Sequence, residues 1–85
     1  MSYNADIQQT VVSVIAEYLD MSAGDLALDT DLELEYGLDS TEMVCIAVDL
    51  EKQLGLSLKN IKFSQLNNAQ DITDAILGVA TPMAS

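Results

Sequence analysis

The amino-acid sequence predicts an all-α protein, a small four-helix bundle of three main helices plus one short helix, with a long first loop. Three observations lead there. Apolar residues recur at helical spacing over residues 5–19 and again over 40–54. The second run is bounded by Asp39, with Glu42 three residues later, and by Gly55 after Leu54. The stretch that alternates like a strand, "DLALDTDLELEYGLDS", finds no second strand to pair with, and a lone strand is not stable.

Each element follows from its residues. Ile7, Val11, Val14, Ile15, Tyr18 and Leu19 share one helical face, and Asn4 is the expected cap. Residues 20–39 read as an ordered loop whose leucines and Tyr36 lie down on the helices. In the helix from Ser40 to Leu54, Met43, Ala47, Leu50 and Leu54 form the expected core stripe, with Val44 and Ile46 on its flanks. A short helix after Asn60 is expected to contribute Ile61, Phe63 and Leu66. A last helix spans about 69–78, with Asn68 as cap and Ile72, Ile76 and Leu77 facing inward. The domain is thus residues 1–78, and 79–85 read as a flexible tail.

Composition narrows the function. A chain of 85 residues allows one domain, and 49% hydrophobic residues argue against disorder. Fourteen acids against three bases give a net charge of −11, and twelve of the acids precede the first base, Lys52. Such a molecule is repelled by phosphate backbones and anionic lipid, so neither nucleic acid nor membrane is an expected partner. A partner with a basic docking patch is attracted instead. Cys45 is the single cysteine, so no intrachain disulfide forms, and with no histidine no zinc site is built. Without a leader pattern or an apolar run of spanning length, a cytoplasmic, monomeric protein is expected.

The serine in "EYGLDSTEMV" raises the functional question. A nucleophilic serine needs a neighbouring base, and nothing in the sequence pairs one with Ser40. No enzymatic activity is therefore expected. Asp31, Glu33, Glu35, Asp39 and Glu42 fall at positions 1, 3, 5, 9 and 12 of a calcium-loop pattern, but Tyr36 stands where that loop needs glycine. Weak screening by divalent ions is the expectation, and no bound metal. An attachment role suits the position, because the N-terminal turn of a helix favours a negatively charged group. Gly37 lets the chain turn tightly before it. On these grounds alone a plain first-turn residue is the simpler reading.

"YGLDS" ahead of an amphipathic helix, mid-chain in an acidic sequence of this length, resembles the acyl carrier protein family. Tyr36, Gly37, Leu38, Asp39 and Ser40 match its signature in order, and Thr41 stands where leucine is usual. The resemblance implies a 4′-phosphopantetheine arm, transferred from coenzyme A to Ser40, that holds an acyl group as a thioester. It also implies that Asp39 helps to position a phosphopantetheinyl transferase and its metal. Leu38 favours the acyl over the peptidyl branch, where a second glycine is usual.

The same resemblance directs attention to the helix after Ser40 as a docking surface. Thr41, Cys45, Val48 and Lys52 make a second stripe at helical spacing, flanked by Glu42, Asp49 and Glu51. The implied partners are acyl-loading and ketosynthase-type enzymes with basic patches. Thr41 and Cys45 depart from the pattern usual in fatty acid synthesis, which points to a polyketide or other specialised pathway. A peptidyl carrier is the near alternative; a small calcium-binding protein and an acidic inhibitor are the distant ones. The sequence reads as free-standing, and an excised synthase domain would look similar.

Overall fold

The first helix, α1 (Tyr3–Tyr18), turns Ile7, Val11 and Ile15 to one side, and all three are buried. Their spacing of four stacks them in one row along the helix. The computed structural model describes residues 3–80. Asn4 lies inside the first turn of α1 rather than ahead of it as a cap. The helix ends in a Schellman turn: Met21 N–H donates to the Ala16 carbonyl at 2.9 Å and Asp20 N–H to that of Glu17 at 3.2 Å. Asp20 occupies the left-handed position of that turn, with φ 58°, where glycine is usual.

The long first connection is ordered, as expected, and holds more structure than a loop. A 3₁₀ turn at Ala23–Asp25 is followed by a five-residue helix, α2 (Leu32–Tyr36). Asp31 caps α2 by accepting from Glu33 and Leu34 N–H, and Gly37 ends it with φ 69°. Leu26, Leu32 and Leu38 are buried, and Leu28 and Tyr36 are half-buried against the same core. Leu34 is the exception among the leucines and points to solvent. Two backbone bonds tie the connection to the start of the last helix: Leu32 N–H to the Asn67 carbonyl at 2.8 Å and Gln70 N–H to that of Leu28 at 3.1 Å. These bonds satisfy backbone groups that would otherwise be left unpaired beside the core.

α3 (Ser40–Leu54) begins and ends where its signals place it. Asp39 and Glu42 form a capping box, and Gly55 closes the helix in the left-handed conformation. Its core stripe is Met43, Ile46 and Leu50, with Ala47 and Leu54 half-buried beside it. Ile46, expected on a flank, is wholly buried, and Val44 on the other flank is 55% exposed. The centre of the stripe falls where neighbouring elements cover α3, which the spacing of α3 alone does not fix. The expected short helix after Asn60 is a single 3₁₀ turn, Phe63–Gln65, with Phe63 buried and Ile61 and Leu66 half-buried.

α4 (Ala69–Ala80) buries Ile72 and Ile76 and carries Leu77 at its edge. Asn68 caps it, accepting Asp71 N–H at 2.7 Å. The helix runs through Val79 and Ala80, so those two residues of the expected flexible tail are helical. Residues 81–85 lie outside the described residues. Among the described residues Thr73 is the buried polar one, and its hydroxyl donates to the Ala69 carbonyl at 2.9 Å, which offsets the cost of burying it.

α1 packs against both α3 and α4, and α3 packs against the turn at Phe63–Gln65. The result is the expected small all-α bundle of three main helices, with no strand among the described residues. Its radius of gyration, 12.1 Å, matches the ~12 Å of a fully compact chain of this length. The core is one cluster drawn from every helix and from the connections, so the corner before α3 rests on a packed base.

Candidate functional site

Ser40 sits at the corner where α2 turns into α3. Gly37 N–H donates to the Glu33 carbonyl at 2.8 Å and closes α2. A side chain at this glycine would meet no neighbour, so its positive φ, rather than crowding, is what favours glycine. Leu38 then plugs into the core, and Asp39 follows in extended conformation. A buried leucine and a helix cap thus bracket the approach to Ser40, which is exposed as the first residue of α3.

The first turn is held by charge-assisted bonds. Asp39 Oδ1 accepts from Glu42 N–H at 2.9 Å, and Glu42 Oε1 accepts from Asp39 N–H at 3.5 Å. Met43 N–H goes to the Asp39 carbonyl at 2.9 Å. The N–H groups of Ser40 and Thr41 remain at the helix end, where the dipole favours an anion. A phosphodiester on Ser40 fits this turn, and the exposed hydroxyl is open to an enzyme that would add it.

From α1, the Tyr18 hydroxyl reaches Glu42 Oε2 at 3.4 Å. The Tyr18 phenol is pushed above its usual 10.0 by desolvation first, then by the Glu42 carboxylate and by Cys45 and Asp39 nearby. Tyr18, assigned by spacing to the core face of α1, is instead a link between the end of α1 and the start of α3. That link crosses 24 positions of sequence, so no local pattern announces it.

The acids of the calcium-loop pattern are not gathered. α2 occupies the middle of that segment, Asp31 is spent on capping α2, and Asp39 and Glu42 on capping α3. Among the described residues no group of three or more metal-ligating side chains converges.

The second stripe of α3 lies at the surface. Thr41, Cys45 and Lys52 are exposed, and Val48 is 42% exposed. Asp49 is exposed beside them, whereas Glu42 and Glu51 are half-buried and engaged. Glu51 Oε2 accepts from Leu58 N–H at 2.7 Å, so it pins the chain after α3 to the helix. Val44, read as a flank of the core, joins Val48, Ala47, Leu58, Ile61 and Phe63 around an apolar groove of about 200 Å³. Lys59 stands at its edge. The spacing of α3 carried a signal for Val44, one turn before Val48, but the partner wall of the groove comes from residues 58–63.

Comparison with known proteins agrees with this geometry. The family signature "Phosphopantetheine attachment site" matches residues 9–76, which is most of the chain. An "Acyl carrier protein" of Phytoplasma mali (strain AT) is 27% identical over 70 residues, covering 82% of this chain and 83% of that one. An "Acyl carrier protein" of Rickettsia bellii (strain RML369-C) is 25% identical over 76 residues, covering 89% and 88%. The matched region spans α3 and nearly all of the bundle, and the proteins it is similar to are carriers. The chain belongs to the acyl carrier protein family, whose members bear a covalent 4′-phosphopantetheine.

Proposed function

We propose that Ser40 is the attachment residue and that the chain carries acyl groups for a fatty-acid or polyketide-type biosynthetic pathway. The observation that carries this reading is the exposed Ser40 at the first turn of a doubly capped helix, inside the matched region. Ser40 Oγ forms the phosphodiester, and the N-terminal turn of α3 stabilises its charge. The arm supplies a thiol, which Cys45 need not provide. Asp39, fixed by the capping box, orients the corner toward the transferase.

Thr41, Cys45, Val48 and Lys52, with Asp49, Glu42 and Glu51, form the proposed docking face for acyl-loading and ketosynthase-type enzymes. Its narrow apolar strip in an acidic setting suits a partner with a small apolar spot ringed by basic residues. Val44 and the groove beside it extend that strip. The acidic charge supports a monomer, since two copies repel; the proposed setting is cytoplasmic. Among the described residues no helix is long and apolar enough to cross a membrane. Thr41 and Cys45 on the docking face favour a specialised pathway over housekeeping fatty acid synthesis.

Loading assays on the phosphopantetheinylated protein test the branch. Malonyl transfer from malonyl coenzyme A by an acyltransferase should give a thioester on the wild-type chain and none on Ser40→Ala. Charging only by an amino-acid-adenylating enzyme would place the chain in the peptidyl branch instead.

A further inference from the structure

We infer that Leu34 is a contact for the phosphopantetheinyl transferase, seated in an apolar recess of that enzyme rimmed by lysine or arginine; the inference rests on the carrier reading above. Leu34 is 85% exposed, whereas the other exposed large apolar residues described lie between 38% and 55%. An exposed leucine is ordinary by itself. Its mounting and its position are what single this one out.

α2 turns Leu32 inward, with Tyr36 four residues on, and so throws Leu34 about 200° around the helix to the outer side. The short helix is fixed at both ends. Asp31 Oδ1 accepts from Glu33 N–H at 3.1 Å and from Leu34 N–H itself at 3.0 Å. Gly37 N–H closes the far end, and Leu32 N–H is tied to the Asn67 carbonyl. A side chain displayed on so fixed a base loses little freedom when a partner covers it.

The surroundings select the partner's charge. Exposed Glu33 and Glu35 flank Leu34, and the sequence holds no lysine or arginine before Lys52. A second copy of the chain or an anionic membrane would be repelled, and a basic rim attracted. Position then favours the transferase among basic partners. It must bring its reacting centre to the Ser40 hydroxyl, at the corner between α2 and α3. The later enzymes have their proposed docking face along the α3 stripe from Thr41 to Lys52 and leave α2 free. Leu34 and Ser40 are at most about 20 Å apart along the chain even if it were extended, and α2 shortens that span. A standard protein footprint of ~800 Å² reaches ~16 Å from its centre.

The test measures loading from coenzyme A and magnesium, at varied carrier concentration, by a transferase that converts the wild-type chain completely. Leu34→Ser should lose about tenfold or more in kcat/KM, since the anchor is a buried leucine's worth of contact. The loss should fall on KM, with kcat kept. Leu34→Met should stay within about twofold, because it preserves apolar volume. The melting temperature of Leu34→Ser should equal that of the wild type, which separates docking from folding. An unchanged KM for Leu34→Ser overturns the inference and leaves the carrier reading standing. A well-folded wild-type chain that no transferase loads overturns both.

Discussion

Single residues here show which side chains serve the fold and which are free for partners. Asp20 holds the left-handed position that ends α1, at φ 58°. A β-carbon there costs energy that glycine avoids, so Asp20→Gly should stabilise the protein by about 0.5–1 kcal/mol. Thermal unfolding should show it as a rise of about 4 °C; a fall would mean that Asp20 makes a compensating contact. Val48, at 42% exposure, sits on the proposed docking face. Val48→Asp should slow acyl loading about tenfold while changing stability by less than about 1 kcal/mol. Loss of stability with unaltered loading would assign Val48 to the core. The capping box of Asp39 and Glu42 that starts α3 is legible in sequence because its partners lie within three positions. The Tyr18–Glu42 and Glu51–Leu58 bonds were not, because each joins residues that only the folded chain brings together.

At the scale of elements, legibility followed length and periodicity. α1, α3 and α4 each span several turns, long enough for a 3.6-residue rhythm to show. α2 has five residues and is written in alternating leucine and glutamate, so its pattern suggested a strand and its surroundings a loop. Its cap, Asp31, and its stop, Gly37, stand in the sequence, but the same residues also fit a broken metal loop and a tight turn. The segment after Asn60 showed the opposite error: three apolar residues suggested a helix where one 3₁₀ turn suffices to bury Phe63. If Asp31 is what holds α2, Asp31→Ala should cost about 1 kcal/mol. Hydrogen exchange should quicken at the Glu33 and Leu34 amides, which it bonds. Undisturbed exchange at those two amides would show that core packing alone holds the helix.

For the whole molecule, charge opposes the fold that the core maintains. A net charge of −11 on a compact chain of 85 residues is strongly self-repelling, and it also draws in basic partners. Raising sodium chloride from about 0.02 M to about 0.5 M shortens the screening length from roughly 20 Å to roughly 4 Å. Stability should therefore rise, on the order of 1 kcal/mol, while partner association slows. A melting temperature that falls with salt would mean attractive pairs outweigh the repulsion. The same acidity that composition revealed at once thus bears on stability and on partner choice, whereas the groove beside α3 emerged only with the packed bundle.

The central claim is that Ser40 bears the arm. Loading the chain from coenzyme A and cutting it after glutamate isolates a peptide, Tyr36–Glu42, that contains Ser40 and Thr41 as its hydroxyl residues besides the tyrosine. Fragment masses should place one phosphopantetheinyl group on Ser40, and Ser40→Ala should leave a folded chain with no added mass. A group found on Thr41 or on any other peptide, or an unmodified wild-type chain, would contradict the account.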